Sequence, residues 1–161
     1  MTERFTTSSV METERAGTVL AGLVRPGDVI ALAGDLGAGK THLVQGVARG
    51  LGVDGPVTSP TFNLLLVHSG RLTLCHFDLY RLEREADLEE IGFYETLEGD
   101  GVSMIEWGDR FPSALPADHL LVVIHRTGIE SRRFDLRPTG PRGEAIAVAW
   151  SAACRDGGES R

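Results

Sequence analysis

The chain has 161 residues, 42% of them hydrophobic and 24% charged. At roughly 150 residues per domain this is one unit long enough to bury its own core, and it is too apolar to be a disordered chain. Sixteen basic residues face 23 acidic ones for a net charge of −7, which argues against a protein that grips a phosphate backbone unaided.

Residues 1–8 read as a ragged start. Residues 9–12 fit a capping box with Ser9 as N-cap, and Ala16, Val19, Leu20 and Leu23 recur at helical spacing up to a turn at Pro26 and Gly27. Residues 29–33 form a continuous apolar run, the pattern of a strand buried on both faces. A Gly-rich turn leads into a predicted helix over 41–51, closed by Gly50 and Gly52. Residues 61–68 and 71–78 read as strands joined by a two-residue hairpin at Ser69 and Gly70. Residues 83–91 read as an acidic helix, 93–97 as a further turn and 102–107 as a strand. Three more strands are expected over 120–125, 133–137 and 145–150. The domain is read as residues 1–150, with a flexible polar tail over 151–161. One strand–turn–helix unit followed mostly by strands predicts an α/β domain, with a mixed parallel and antiparallel sheet flanked by helices.

Fifteen of the 16 basic residues are Arg, a bias of overall composition, and the single Lys is Lys40. Its place is explained by the run Gly34-Asp35-Leu36-Gly37-Ala38-Gly39-Lys40-Thr41, which matches G-x-x-x-x-G-K-[ST] between a buried strand and a helix. The glycines permit positive φ and close backbone approach, so that successive amide groups can cradle phosphate oxygens at a helix N-terminus. Lys40 is expected to reach the β- and γ-phosphates, and Thr41 to ligate Mg²⁺. No N-K-x-D guanine motif is possible with one Lys.

A phosphoryl-transfer site needs carboxylates at strand ends, and two strand-like runs end in Asp78 and Glu106. Either can hold Mg²⁺ while the other orients the attacking water. The hydroxyl-rich segment 58–62 reads as a switch loop or as a plain turn stiffened by Pro60. Trp107 is expected to pack. His76 shares a strand face with Asp78 and is expected to be a core histidine. Arg126, Arg132, Arg133, Arg137 and Arg142 read as strand-surface charge, or as contacts to a nucleotide, a partner or RNA. Cys75 and Cys154 form no disulfide framework, the His residues show no zinc spacing, and no apolar run suits a membrane or a signal peptide. Reduced thiols and a cytoplasmic location are expected.

Five blocks together resemble a known family: GDLGAGKT at 34–41, SPTF at 59–62, HFDLYRL at 76–82, LEEIG at 88–92 and IEW at 105–107. In their order and spacing, over roughly residues 9 to 133, they are similar to TsaE, the P-loop ATPase family of bacterial tRNA threonylcarbamoyladenosine biosynthesis. The resemblance implies a P-loop NTPase-like sheet and Mg²⁺-dependent ATP hydrolysis, slow in isolation. It implies TsaB and TsaD as partners, whose complex modifies the adenosine beside the tRNA anticodon. By position it implies Thr41 and Glu106 at Mg²⁺ and Asp78 as an acid needed for hydrolysis. It also sets Val10 and Thr13 near the adenine, with Gly128 and Glu130 in a late Gly-x-Glu segment near the nucleotide. His42 departs from the family's usual second Thr, and the last third matches loosely. Two other functions suit the same loop: a small P-loop kinase, and a nucleotide-gated binding module with vestigial hydrolysis.

Overall fold

In the computed structural model, which describes residues 3–159, the chain begins β1 (Glu3–Thr7), α1 (Val10–Ala21), β2 (Val29–Ala33), α2 (Lys40–Gly50), β3 (Leu65–His68) and β4 (Leu74–Asp78). It continues through α3 (Asp87–Glu90), α4 (Phe93–Leu97), β5 (Val102–Glu106), β6 (His119–Arg126), β7 (Arg132–Thr139) and α5 (Gly140–Glu159). The strands among the described residues form one sheet ordered β1-β7-β6-β2-β5-β4-β3. β2 lies between β5 and β6 and is parallel to both, and β4 is parallel to β5. β3, β7 and β1 pair antiparallel, so the sheet is mixed, as expected.

Alternate residues of the central strands supply two cores. Ile30, Leu32, Val102 and Met104 pack beneath Leu20 of α1, Leu43 and Val47 of α2, and Trp150 of α5. On the opposite face, Val29, Phe77 and Ile105 pack with Leu88 and Phe93. Every residue of β2 is buried, which is why its sequence is a plain apolar run. Helix α1 starts where Ser9 Oγ accepts the Glu12 N–H at 3.1 Å. The Glu12 carboxylate accepts the N–H of Ser8, one residue before the capping-box position. A Cβ on Gly46 would overlap the Glu14 carbonyl, so glycine lets α1 and α2 touch at the backbone.

Four expectations change. Residues 3–7 are not ragged: they form edge strand β1 on β7, with Phe5 stacked on Phe134 at 4.6 Å. The 61–78 hairpin is shorter at both strands and its connection spans 69–73. Arg71 explains this, since its N–H bonds the Leu51 carbonyl and its guanidinium the Ala21 carbonyl, drawing the connection onto the helix ends. In the acidic stretch only α3 is helical before Gly92.

The fourth change is the largest. Residues 145–150 are not a strand but part of α5, which also runs across the expected break at residue 150. Alternating small and large residues imitate a strand here, yet the buried positions Ile146, Ala147, Trp150 and Ser151 follow the helical period. Asp118 accepts the Arg142 and Gly143 N–H groups at 3.0 and 2.8 Å, so a distant side chain caps the helix. Among the described residues no helix is long and apolar enough to cross a membrane.

Candidate active site

The segment between β2 and α2 is a tight loop shaped by its glycines. Gly34 has φ 148°, and a Cβ there would stand 2.7 Å from the Ile124 carbonyl oxygen. Gly39 precedes α2 at φ 110° with no side-chain cap, which leaves the first N–H groups of the helix for a ligand. The Lys40 ammonium donates to the carbonyls of Gly34 and Asp35 and sits 4.0 Å from the centre of the Trp107 ring. Burial lowers the Lys40 pKa below its usual value, against the opposing pull of Glu106, Asp78, Asp109 and Asp35.

Sheet register delivers the acids. Glu106 lies opposite both Leu32 of β2 and Asp78 of β4, so both carboxylates emerge beside the loop. The Thr41 hydroxyl donates to the Glu106 carboxylate, 2.9 Å from Oε1 and 3.1 Å from Oε2. Two hard oxygen donors in contact, with open space before them, are the kind of set a small divalent cation accepts. His76 is fully buried, and its Nε2 lies 2.5 Å from Glu106 Oε2. Its Nδ1 has no partner among the described residues. It is therefore tied to Glu106, not to Asp78 and not merely to the core. Asp78 accepts from Ser59 Oγ at 2.9 Å, Thr61 Oγ1 at 3.2 Å and the Tyr80 N–H at 3.0 Å. The hydroxyl loop is thus tethered to one of the two acids. Trp107 holds the left-handed region at φ 59°, and its ring lies 4.9 Å from that of Tyr80. It packs, as expected, and it also lines the site.

Asp78, Glu106, Trp107 and the loop hydroxyls line a cavity of about 380 Å³ together with Val10, residues 36–42 and Arg132. Glu130, in the loop that joins β6 to β7 at the same end of the sheet as residues 34–41, holds Val10 in place by accepting its N–H at 3.0 Å. Thr13 lies behind, buried, with its hydroxyl 2.8 Å from that of Thr7. Gly128 contributes a carbonyl that accepts from Arg126 and Arg132. Arg132 itself donates to the loop carbonyls of Ala38 at 2.7 Å and Gly37 at 3.1 Å. It is no strand-surface charge.

The family model for the threonylcarbamoyl adenosine biosynthesis protein TsaE matches residues 7–134. The chain belongs to the TsaE family. It is 50% identical over 113 residues to the tRNA threonylcarbamoyladenosine biosynthesis protein TsaE of Treponema pallidum, covering 70% of this chain and 84% of that one. It is 39% identical over 141 residues to the protein of that name from Bacillus subtilis, covering 87% and 88%. Its fold matches the crystal structure of Bacillus subtilis YdiB with a TM-score of 0.79 at 33% identity, covering 95% and 97%.

Within this TsaE chain, the loop, Thr41, Asp78 and Glu106 all lie in the matched span. Two residues of the site carry no local signal for their role. Strand alternation sets His76 on the face of Asp78, but only register reveals that Glu106 stands within reach. Arg132 is one Arg among several at a strand start, and nothing near it in sequence points to residues 37 and 38.

Proposed function

We propose that this chain is a Mg²⁺-dependent ATPase of tRNA threonylcarbamoyladenosine biosynthesis. On this reading it works in the cytoplasm with TsaB and TsaD and reaches tRNA through them. One observation carries the reading: the Thr41 hydroxyl and the Glu106 carboxylate are in contact at the mouth of the phosphate loop, with Asp78 on the adjacent strand. Thr41 and Glu106 would hold Mg²⁺. The ion, when bound, neutralises charge on the phosphoryl oxygens.

Lys40 exchanges the carbonyls of Gly34 and Asp35 for phosphate oxygens, and the backbone from Gly34 to Thr41 encloses the phosphates. Val10 and Glu130 stand on the adenine side, with Thr13 and Gly128 behind them. Asp78 orients the attacking water. Water then adds to the γ-phosphorus, ADP leaves, and the proton lost by the water passes toward the Asp78 carboxylate. The net charge of −7 fits contact with tRNA through a complex better than contact alone.

The test is reconstitution with TsaB, TsaD, tRNA, ATP and Mg²⁺, following phosphate release and modified adenosine together. The expected result is that both need this chain and both are lost with Lys40→Ala. A phosphorylated small-molecule acceptor in place of free phosphate would make it a kinase. Glu106→Ala that stops hydrolysis yet still supports modification would make it a binding module.

A further inference from the structure

Arg132 opens β7 and is only 9% exposed. Its guanidinium donates to backbone carbonyls on every side. Nε reaches Ala38 at 2.7 Å and Nη2 reaches Gly37 at 3.1 Å. Nη1 reaches Ser131 at 2.8 Å, Gly128 at 3.2 Å and Ile129 at 3.3 Å. Among the described residues no carboxylate forms an ion pair with it. A buried cation met only by carbonyl dipoles is costly, and the cost persists where something outside the fold supplies the counter-charge. Arg132 also lines the cavity that holds Lys40 and Thr41.

Two physical consequences follow. A trans peptide sets its C=O and N–H in opposite directions. By gripping the Ala38 carbonyl, Arg132 turns the Gly39 N–H the opposite way, away from the guanidinium. The second consequence is electrostatic: a positive charge with no ion-pair partner among the described residues stands beside the loop at the wall of the cavity, where an anion held there feels it at low effective dielectric. The same guanidinium ties the loop to residues 128–131, whose Glu130 holds the start of α1.

We propose that Arg132 is a positioning residue for nucleotide phosphates: it orients the 37–39 backbone through the Gly37 and Ala38 carbonyls, and the bound phosphates are its counter-charge. The proposal rests on the reading of the loop as a nucleotide site.

The experiment compares the unmutated chain, Arg132→Lys, Arg132→Met and Lys40→Ala by calorimetric titration with ADP and with ATP. Backbone ¹⁵N order parameters of residues 37–39 are measured without nucleotide, and melting temperatures alongside. Arg132→Lys keeps charge and length but loses the planar fork. The expected result is a fall of about 10- to 100-fold in affinity for both nucleotides, the range for losing a charge-assisted hydrogen bond. Order parameters at residues 38 and 39 fall with it, while the melting temperature holds. Arg132→Met loses more affinity, and Lys40→Ala loses affinity with the order parameters unchanged. Wild-type affinity in Arg132→Lys with an unaltered loop overturns the proposal, as does an Arg132→Met that melts early but binds normally. An unmutated chain that binds neither nucleotide overturns the nucleotide reading itself and this proposal with it.

Discussion

Thr41 Oγ1 donates to the Glu106 carboxylate, 2.9 Å from Oε1, joining residues 65 apart in sequence. The contact holds the first turn of α2 to the end of β5 and sets two candidate metal ligands side by side. Glu106→Gln keeps the shape and an oxygen for Thr41 but removes the charge. Metal ions supply several kcal/mol to phosphoryl transfer, so hydrolysis is expected to drop by about 100-fold or more and to lose its Mg²⁺ response. Phosphate release measured across a Mg²⁺ series checks this. Wild-type turnover in the variant would remove Glu106 from the metal site.

His76 fixes the same carboxylate from the other side, with Nε2 2.5 Å from Oε2 and no exposure to solvent. Groups that orient metal ligands are worth about 10- to 100-fold in metal affinity. His76→Gln is therefore expected to weaken Mg²⁺ binding to the ADP complex by that range and leave metal-free ADP binding unchanged. Paired titrations with and without Mg²⁺ decide it; equal losses in both would mean that His76 supports the fold alone.

Asp78 has three hydrogen-bond donors, from Ser59, Thr61 and Tyr80. Asp78→Asn retains an oxygen for the loop hydroxyls but loses the carboxylate. A positioned acid–base group contributes about 100- to 10,000-fold, so single-turnover hydrolysis is expected to fall within that range. ATP affinity is expected to change little. Affinity that collapses along with turnover would assign Asp78 to binding.

Asp135 ties the edge strand to the sheet. Its Oδ1 lies 2.6 Å from Arg4 Nε and 3.4 Å from Arg133 Nε. Burial pushes this carboxyl up, but the Arg4 hydrogen bond and the charges of Arg133, Arg4 and His125 together hold it below its ordinary 3.8. A depressed carboxyl pKa means that the native state favours the ionised form. Its stabilisation is complete above 3.8 and fades as pH falls through the lower native value. Asp135→Asn is expected to melt below wild type at pH 7, with the gap closing in acid. Thermal melts from neutral pH downward test this, and a gap that ignores pH would exclude the charge as its origin.

Trp150 is fully buried against Phe5, and its Nε1 donates to the Ala16 carbonyl at 2.9 Å. Replacing a core Trp by Ala costs about 3–5 kcal/mol, which lowers the melting temperature of a domain this size by roughly 10 °C. Trp150→Ala should show that loss in calorimetry while ATP affinity is retained, since α5 lies on the core and not at the cavity.

The phosphate loop was legible because its chemistry is local: glycines, one ammonium and one hydroxyl within eight positions, between an apolar run and an amphipathic helix. Asp78 and Glu106 were legible as strand ends for the same reason. Residues 145–150 read as a strand because large and small side chains alternate there, while the buried face follows a period of 3.6, and both patterns fit six residues. β1 carries no clear local signal, because an edge strand of five residues takes its meaning from β7, at the far end of the chain.

The loop, the acids, the strands that carry them and the family blocks are written in the order of the residues, because each depends on its neighbours in the chain. Which acid meets which partner is a matter of how the strands are placed side by side. Alternation tells which face a strand residue takes, but not which strand lies beside it. Only the placement of β5 between β2 and β4 brings His76 and Thr41 to one carboxylate and leaves Asp78 to the hydroxyl loop. Only the return of β7 to the sheet sets the Arg132 guanidinium against a loop some ninety residues earlier. Both are consequences of long-range strand pairing, which sequence periodicity does not encode.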